Sequence, residues 1–317
     1  MSSEATDVAT ALAPASVGNV AVGFDILGFA LEQPGDRVSV AKIDEPTVRI
    51  GEITGEVTDL PTRPDENTAT VGLVQLIDDR ELEFGFEVSI EKGIPLGSGM
   101  GGSAASAVGG VVAANALLEE GLTREEMLSY ALLGESVASG DVHGDNVTPC
   151  LWGGLTLTRS LDPVDIVSIP VPDRIRCVLV YPNRRIDTQR ARKVIPGKLP
   201  LKSFVEQSAN LAGFISGCYR GDFDLIERSM SDMLIEPHRA PLIPGFSKVC
   251  RAARDAGALG CSISGSGPSI FAWCDGDERA GIVEGAMAEA FDEESIEASS
   301  WQSSVNEKGA HLIDDPR

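Results

Sequence analysis

A chain of 317 residues with 43% hydrophobic and 23% charged side chains has ample material for one large or two modest cores, which excludes a disordered or collagen-like protein. Forty-eight acidic residues against 26 basic ones give a formal net charge of −22, and that excludes nucleic acid as a partner, because binding a phosphate backbone needs a positive surface. Lysines make up only 7 of the 26 basic residues, so acid excess comes with lysine scarcity, as expected of a halophilic protein working where molar salt screens charge over about 3 Å; an ordinary acidic cytosolic enzyme is the plainer alternative.

Residues 1–13 are acidic and carry no basic patch followed by an apolar run, so they do not read as a secretory signal. The most apolar helix-like stretch, 108–118, is far short of the roughly 20 residues a bilayer span needs, and the expected location is the cytoplasm. Cys150, Cys177, Cys218, Cys250, Cys261 and Cys274 are scattered without a CxxC pair, which favours reduced core thiols over a zinc site or a disulfide framework.

In chain order, residues 8–41 alternate apolar runs with Gly18, Gly23 and Gly28 and read as strand, glycine-rich loop, strand. Residues 84–90 alternate as a half-buried strand does, and a loop over 92–102 leads into an alanine-rich helix over 103–120, with Gly121 as its stop. Thr123 and Glu126 form a capping box for a second helix running to about residue 138. Prolines 163, 170 and 172 mark the expected domain boundary, giving domains 1–165 and 166–317. Beyond it the pattern reads as a strand (175–181), helices (202–219, 225–234, 246–256), a glycine-rich loop (257–268), a strand (269–274), a helix (278–291) and a last strand-like segment. Mixed helices and strands with helix following helix predict an α+β fold rather than a doubly wound sheet.

Gly97-Ser98-Gly99-Met100-Gly101-Gly102-Ser103 lies between a predicted strand and a predicted helix. Its backbone N–H groups would converge at the positive end of a helix dipole, the physical recipe for a phosphate cradle. Neither a Walker A element nor a dinucleotide fingerprint fits, since no Lys-Ser or Lys-Thr follows and no second strand of a βαβ unit comes next. An elaborate tight turn is the plainer alternative. A second small-residue cluster, residues 260–269, could add backbone from the other half.

Three segments together resemble the signatures of the GHMP small-molecule kinases: Ala13-Pro14-Ala15-Ser16-Val17-Gly18-Asn19 running on to Phe24-Asp25, residues 95–106, and residues 260–269. The stretches His143-Gly144-Asp145-Asn146-Val147-Thr148-Pro149, Tyr181-Pro182 with residues 188–192, and Glu236-Pro237-His238-Arg239 are similar to the homoserine kinase branch of that superfamily. The resemblance implies an N-terminal domain like ribosomal protein S5 domain 2 and a C-terminal ferredoxin-like sandwich, with ATP between them. It implies transfer of the γ-phosphoryl group of MgATP to the hydroxyl of L-homoserine, a step of threonine biosynthesis, in a homodimer.

By resemblance the ATP phosphates lie on Pro95, Leu96, Gly97, Ser98, Gly99, Met100, Gly101, Gly102, Ser103 and Ala104, with Gly265, Ser266 and Gly267 opposite. Ser103 and Glu135 are the implied Mg2+ ligands, although a glutamate on a helix is more often a solvated side chain. Arg192 and Arg239 match the clamp for the substrate carboxylate, where a planar bidentate group outperforms a lysine. Asp25 is placed to face the ammonium, and Asn19, His143 and Asn146 to line the hydroxyl end, with Thr188 nearby. Ser16 and Asn146 stand where several relatives carry a lysine and an aspartate base. Asparagine takes no proton at neutral pH, so transfer without a dedicated carboxylate base is expected. Gly102 replaces the first serine of a Ser-Ser pair, leaving Ser103. The rival readings are an archaeal-type shikimate or mevalonate kinase, or a nucleotide-binding regulator without turnover.

Overall fold

The computed structural model describes residues 7–139 and 143–314. The first half runs β1 (Val8–Gly18), β2 (Leu27–Ile43), β3 (Val48–Gly55), α1 (Val71–Arg80), β4 (Gly85–Lys92), α2 (Gly102–Asn115), α3 (Arg124–Ser139), α4 (Gly144–Trp152), β5 (Leu155–Leu161) and β6 (Val164–Ile169). The second runs β7 (Ile175–Tyr181), α5 (Thr188–Lys193), α6 (Leu201–Arg220), α7 (Phe223–Ser229), α8 (Glu236–Arg239), α9 (Phe246–Asp255), β8 (Gly260–Ile263), β9 (Ile270–Asp275), α10 (Asp277–Asp292), β10 (Ser299–Ser303) and β11 (His311–Ile313).

A seven-stranded sheet has the order β11-β1-β2-β4-β3, with β5 pairing both β2 and β6. The four-stranded sheet, β10-β7-β9-β8, is antiparallel throughout. The last strand crosses back to the larger sheet, where Ile313 pairs with Thr10. This is a mixed α+β arrangement, as the interleaving of helical and strand patterns predicts.

Alternation along β7 and β9 decides what each face packs against. Cys177, Leu179, Phe271 and Trp273 face a core shared with the larger sheet, whereas Val178, Val180, Ile270 and Ala272 face α9 and α10. Trp273 meets Phe29 of β2 edge-on at 5.6 Å and Phe214 of α6 at 5.2 Å, so three fully buried rings join the two sheets. Such ring pairs add about 0.5–1.5 kcal/mol each beyond their buried area. The two halves are thereby held in one relative position, which any site built from both requires.

Several local details depart from the pattern. Helix α2 ends at Asn115 rather than at Gly121, because the Asn115 Oδ1 accepts the Leu122 N–H at 2.6 Å and closes the turn. The capping box forms, with Thr123 N–H on Glu126 Oε2 at 2.8 Å and Glu126 N–H on Thr123 Oγ1 at 3.2 Å. Helix α7 stops at Ser229 instead of 234, since Asp232 accepts the N–H groups of Leu234, Ile235 and Glu236 and starts α8. Strand β8 occupies part of the segment expected as glycine loop. All six cysteines are buried and unbridged. Among the described residues no helix is long and apolar enough to cross a membrane.

Candidate active site

The start of α2 opens into a cavity of about 450 Å3 lined from both halves of the chain. Gly97, Gly99 and Gly101 have φ of 64°, 79° and 68°, a left-handed conformation costly for other residues. Packing adds a second reason at two of them. A Cβ on Gly99 would lie 2.5 Å from the Ser264 carbonyl oxygen, and one on Gly101 would lie 2.2 Å from the Ser16 hydroxyl. Gly99 therefore lets the loop sit against the other glycine cluster, and Gly101 lets it sit against Ser16 of β1. Ser98 is buried and its hydroxyl has no hydrogen-bond partner among the described residues, which suits an acceptor such as a phosphate oxygen. Met100 and Ala104 carry fully buried side chains and, like Gly267, do not line the cavity; Met100 instead anchors the loop by accepting the Ser16 N–H at 3.0 Å.

Ser103, in the first turn of α2, donates to Glu135 Oε2 of α3 at 2.7 Å. Burial pushes the Glu135 carboxyl up to about 7, against the Ser103 hydrogen bond and with some help from the Asp145 charge. A hydroxyl and a carboxylate beside a phosphate cradle fit Mg2+, which takes few protein oxygens and completes its shell from phosphates and water. Beneath this pair lies a buried ion pair that sequence reasoning missed. Lys92 bonds Asp36, the Gly102 carbonyl at 2.9 Å and Ser106 Oγ at 2.9 Å, while Asp36 Oδ1 accepts the N–H groups of Gly93 and Ile94. Lys92 thus ties the end of β4 to the first turn of α2. A lysine in a chain with so few, just before the glycine loop, was the available signal.

Across the cavity the turn after β1 is left-handed at three successive non-glycine residues, Asn19, Val20 and Ala21, with φ of 67°, 44° and 59°. Each costs roughly 1–2 kcal/mol, and the turn persists because Val20 and Ala21 are buried and Gly23 N–H bonds the Asn19 carbonyl at 2.8 Å. Asn19 spends its side chain on the protein: Nδ2 donates to the Gly265 carbonyl at 2.8 Å, and Oδ1 accepts the Asp25 N–H at 3.0 Å. These two bonds tie Asn19 to the second glycine cluster and fasten the backbone of Asp25 beside it. Asp25 receives two hydrogen bonds from the Arg192 guanidinium, at 2.8 and 3.1 Å, and His143 also contacts Arg192. Arg239 is 4% exposed and is held by the Ala191 and Gly265 carbonyls at 3.1 and 3.0 Å. Thr188 Oγ1 lies 3.4 Å from Ser266 Oγ.

At the floor, Ser16 donates to Asn146 Oδ1 at 2.9 Å, which leaves the Asn146 amide nitrogen as a donor. The neighbouring Asp145 is 4% exposed, and burial together with the Asp25 charge pushes it up to about 7 against the pull of Arg239 and Arg192. It belongs to a quoted motif, yet nothing in the pattern marked it as a cavity carboxylate. Nor did the pattern mark Leu60, Pro61, Asn67 and Val137, which form a mixed apolar and amide arm beside the glycine loop. Of the expected residues, Asn19, Asp25, Glu135, His143, Asn146, Thr188, Arg192 and Arg239 converge on this one cavity with Gly97, Ser98, Gly99, Gly101, Gly102 and Ser103.

Comparison with known proteins agrees with this architecture. The chain matches the GHMP kinases N terminal domain over residues 68–154 and the GHMP kinases C terminal region over 214–293. It is 48% identical to a homoserine kinase of Xylella fastidiosa, covering 96% of this chain and 94% of that one. It is 42% identical to a homoserine kinase of Chloroherpeton thalassium, covering 96% and 99%. The crystal structure of homoserine kinase from Cytophaga hutchinsonii superimposes with a TM-score of 0.95 at 43% identity, covering 99% of both chains. A mevalonate kinase of L. major shares the fold at a TM-score of 0.73 and 16% identity. With these likenesses extending over nearly the whole length, the chain belongs to the homoserine kinase family of the GHMP kinases.

Proposed function

We propose that the enzyme transfers the γ-phosphoryl group of MgATP to the side-chain hydroxyl of L-homoserine, giving O-phospho-L-homoserine for threonine formation, with residues 1–165 and 166–317 as its two domains. The observation that carries this reading is one carboxylate and two guanidiniums, Asp25, Arg192 and Arg239, lining the same cavity as the glycine loop. A zwitterion matches that set: its ammonium on Asp25, its carboxylate on the two arginines, its hydroxyl directed to the loop. Shikimate and mevalonate carry no ammonium and would leave Asp25 uncompensated.

Phosphoryl transfer asks the protein for positioning and charge stabilisation more than for covalent chemistry. The amides of residues 97–103 hold the phosphates, and Ser103 with Glu135 would hold Mg2+. Bound there, the ion neutralises charge on the phosphate oxygens. Asn146 donates to the substrate hydroxyl and orients it. Because Asn146 accepts no proton, the hydroxyl proton leaves late, to a phosphoryl oxygen. Asp145 favours a second reading in which it serves as base, since it lines the cavity with a carboxyl raised to about 7. Direct transfer is supported by Asp145 being nearly sealed from the cavity solvent at 4% exposure.

ADP release measured against homoserine, shikimate and mevalonate, at low and molar salt, tests the proposal. Turnover with homoserine alone, rising with salt, is expected of this site in so acidic a chain. Turnover with shikimate or mevalonate instead would overturn the substrate reading. Full activity and an unchanged melting temperature at low salt would overturn the halophilic one.

A further inference from the structure

Both arginines of the clamp share a contact that the phosphoryl-transfer reading leaves unused. The Arg192 Cζ lies over the Phe24 ring at 4.9 Å from its centroid, and the Arg239 Cζ lies over the same ring at 5.1 Å. Arg192 comes from α5 and Arg239 from α8, so the ring ties together two segments separated in the chain. We propose that Phe24 is a positioning residue that sets the spacing of the two guanidiniums for the substrate carboxylate. This rests on Arg192 and Arg239 being the carboxylate clamp.

Two cations held close together repel, and something must hold them there before substrate arrives. Asp25 offsets part of that repulsion by pairing with Arg192, but that pair opens when the substrate ammonium takes Asp25. The face of an aromatic ring attracts a guanidinium through its quadrupole and has no acceptor atoms. Because the ring accepts through its π-face and not through a lone pair, this contact can hold a guanidinium without occupying the acceptor sites its N–H groups need. Those donors are in demand. Arg239 uses Nε on Ala191 and Nη1 on Gly265, which leaves Nη2, and Arg192 presents Nη1 and Nη2 to Asp25.

Phe24 also immediately precedes Asp25, whose N–H is fastened to Asn19. One short segment therefore places the acceptor for the ammonium and the surface that spaces the cations for the carboxylate. An α-amino acid bears those two groups on a single carbon, so their separation is fixed, and a rigid segment can match it. Phe24 is half-buried, so replacing it removes no fully enclosed core ring.

The test is steady-state kinetics of Phe24→Leu, Phe24→Met and Phe24→Tyr with homoserine and with 3-aminopropan-1-ol, which is homoserine without its carboxylate, read as substrate or as competitive inhibitor. Phe24→Leu should raise the homoserine KM about tenfold and leave the ATP KM within about twofold, while the amino alcohol is affected less than about threefold. Phe24→Tyr, which keeps the ring, should restore the homoserine KM to within about threefold of wild type. Phe24→Met gives the same reading as Phe24→Leu if the leucine variant folds poorly. Equal losses on homoserine and the amino alcohol, an unchanged homoserine KM in Phe24→Leu, or no rescue by Phe24→Tyr would each overturn the proposal. A wild-type enzyme that handles the amino alcohol as well as homoserine would overturn the clamp itself, a result separable from any failure of Phe24.

Discussion

Arg192 and Asp25 grip each other by two parallel hydrogen bonds, of 2.8 and 3.1 Å, although they belong to opposite halves of the chain. They are the proposed partners of opposite ends of the same substrate. Homoserine can therefore enter by exchange, its ammonium taking Asp25 and its carboxylate taking Arg192, so that no charge is left unpaired. A ligand with only one of those charges frees one partner and strands the other. Arg192→Lys keeps the charge and loses the fork. Its homoserine KM should rise at least about tenfold with the ATP KM within about twofold, measured by initial rates at saturating co-substrate.

Glu135→Gln removes the carboxylate beside Ser103 while preserving its shape. Loss of a ligand to the ion that compensates phosphate charge should lower kcat by about 100-fold or more and raise the Mg2+ concentration for half-maximal rate. A Mg2+ titration of activity checks this. An unchanged half-maximal concentration would place the ion elsewhere.

The raised carboxyls carry a stability consequence. Glu135 and Asp145 are each held at about 7, above their ordinary 4.5 and 3.8, so between those values the folded protein keeps protons that the unfolded chain has released. Stability then falls as pH rises through that window, because the folded state binds more protons than the unfolded one. Glu236, also pushed up to about 7 by burial, acts in the same direction. Thermal melts without nucleotide should show Tm falling by roughly 5 °C between pH 5 and pH 8. Glu135→Gln should flatten the slope, and a Tm that climbs over this range would contradict the assignment.

The glycine loop is tested at one position with an internal control. Gly101→Ala forces a side chain onto φ of 68° and into the Ser16 hydroxyl, whereas a Cβ on Gly197 meets nothing within 4 Å. The first should cost about 2 kcal/mol and raise the ATP KM, and the second should be neutral in melts and kinetics.

The base question has its own variant. Under direct transfer Asn146→Asp gains nothing and loses the donor to the substrate hydroxyl, so kcat should drop about tenfold or more. A sharply higher kcat would show that a carboxylate at this position takes the proton.

How much of this was legible follows from which residues advertise their physics. The glycine loop at the start of α2 was, because glycines between strand and helix have few other uses, and so was α3, because Thr123 and Glu126 announce a cap. Strand β7 falls on the predicted residues 175–181 because Val and Leu alternate there between two cores. The left-handed turn at Val20 and Ala21 was invisible, since neither residue favours positive φ and only tertiary packing enforces it. Helix α4 was hidden by Pro149 in its interior. Asp145, Lys92 and the Phe24 contacts depend on burial and on partners distant in the chain, which local pattern does not encode.

The most direct measurement is a crystal structure of the enzyme with homoserine, Mg2+ and a non-hydrolysable ATP analogue. The expected result is an opened Asp25–Arg192 pair, with the ammonium on Asp25, the carboxylate between Arg192 and Arg239, and the hydroxyl oxygen about 3–3.5 Å from the γ-phosphorus above the glycine loop. Homoserine bound outside this cavity, or reversed so that its carboxylate faces Asn146 while Asp25 and Arg192 remain paired, would contradict it.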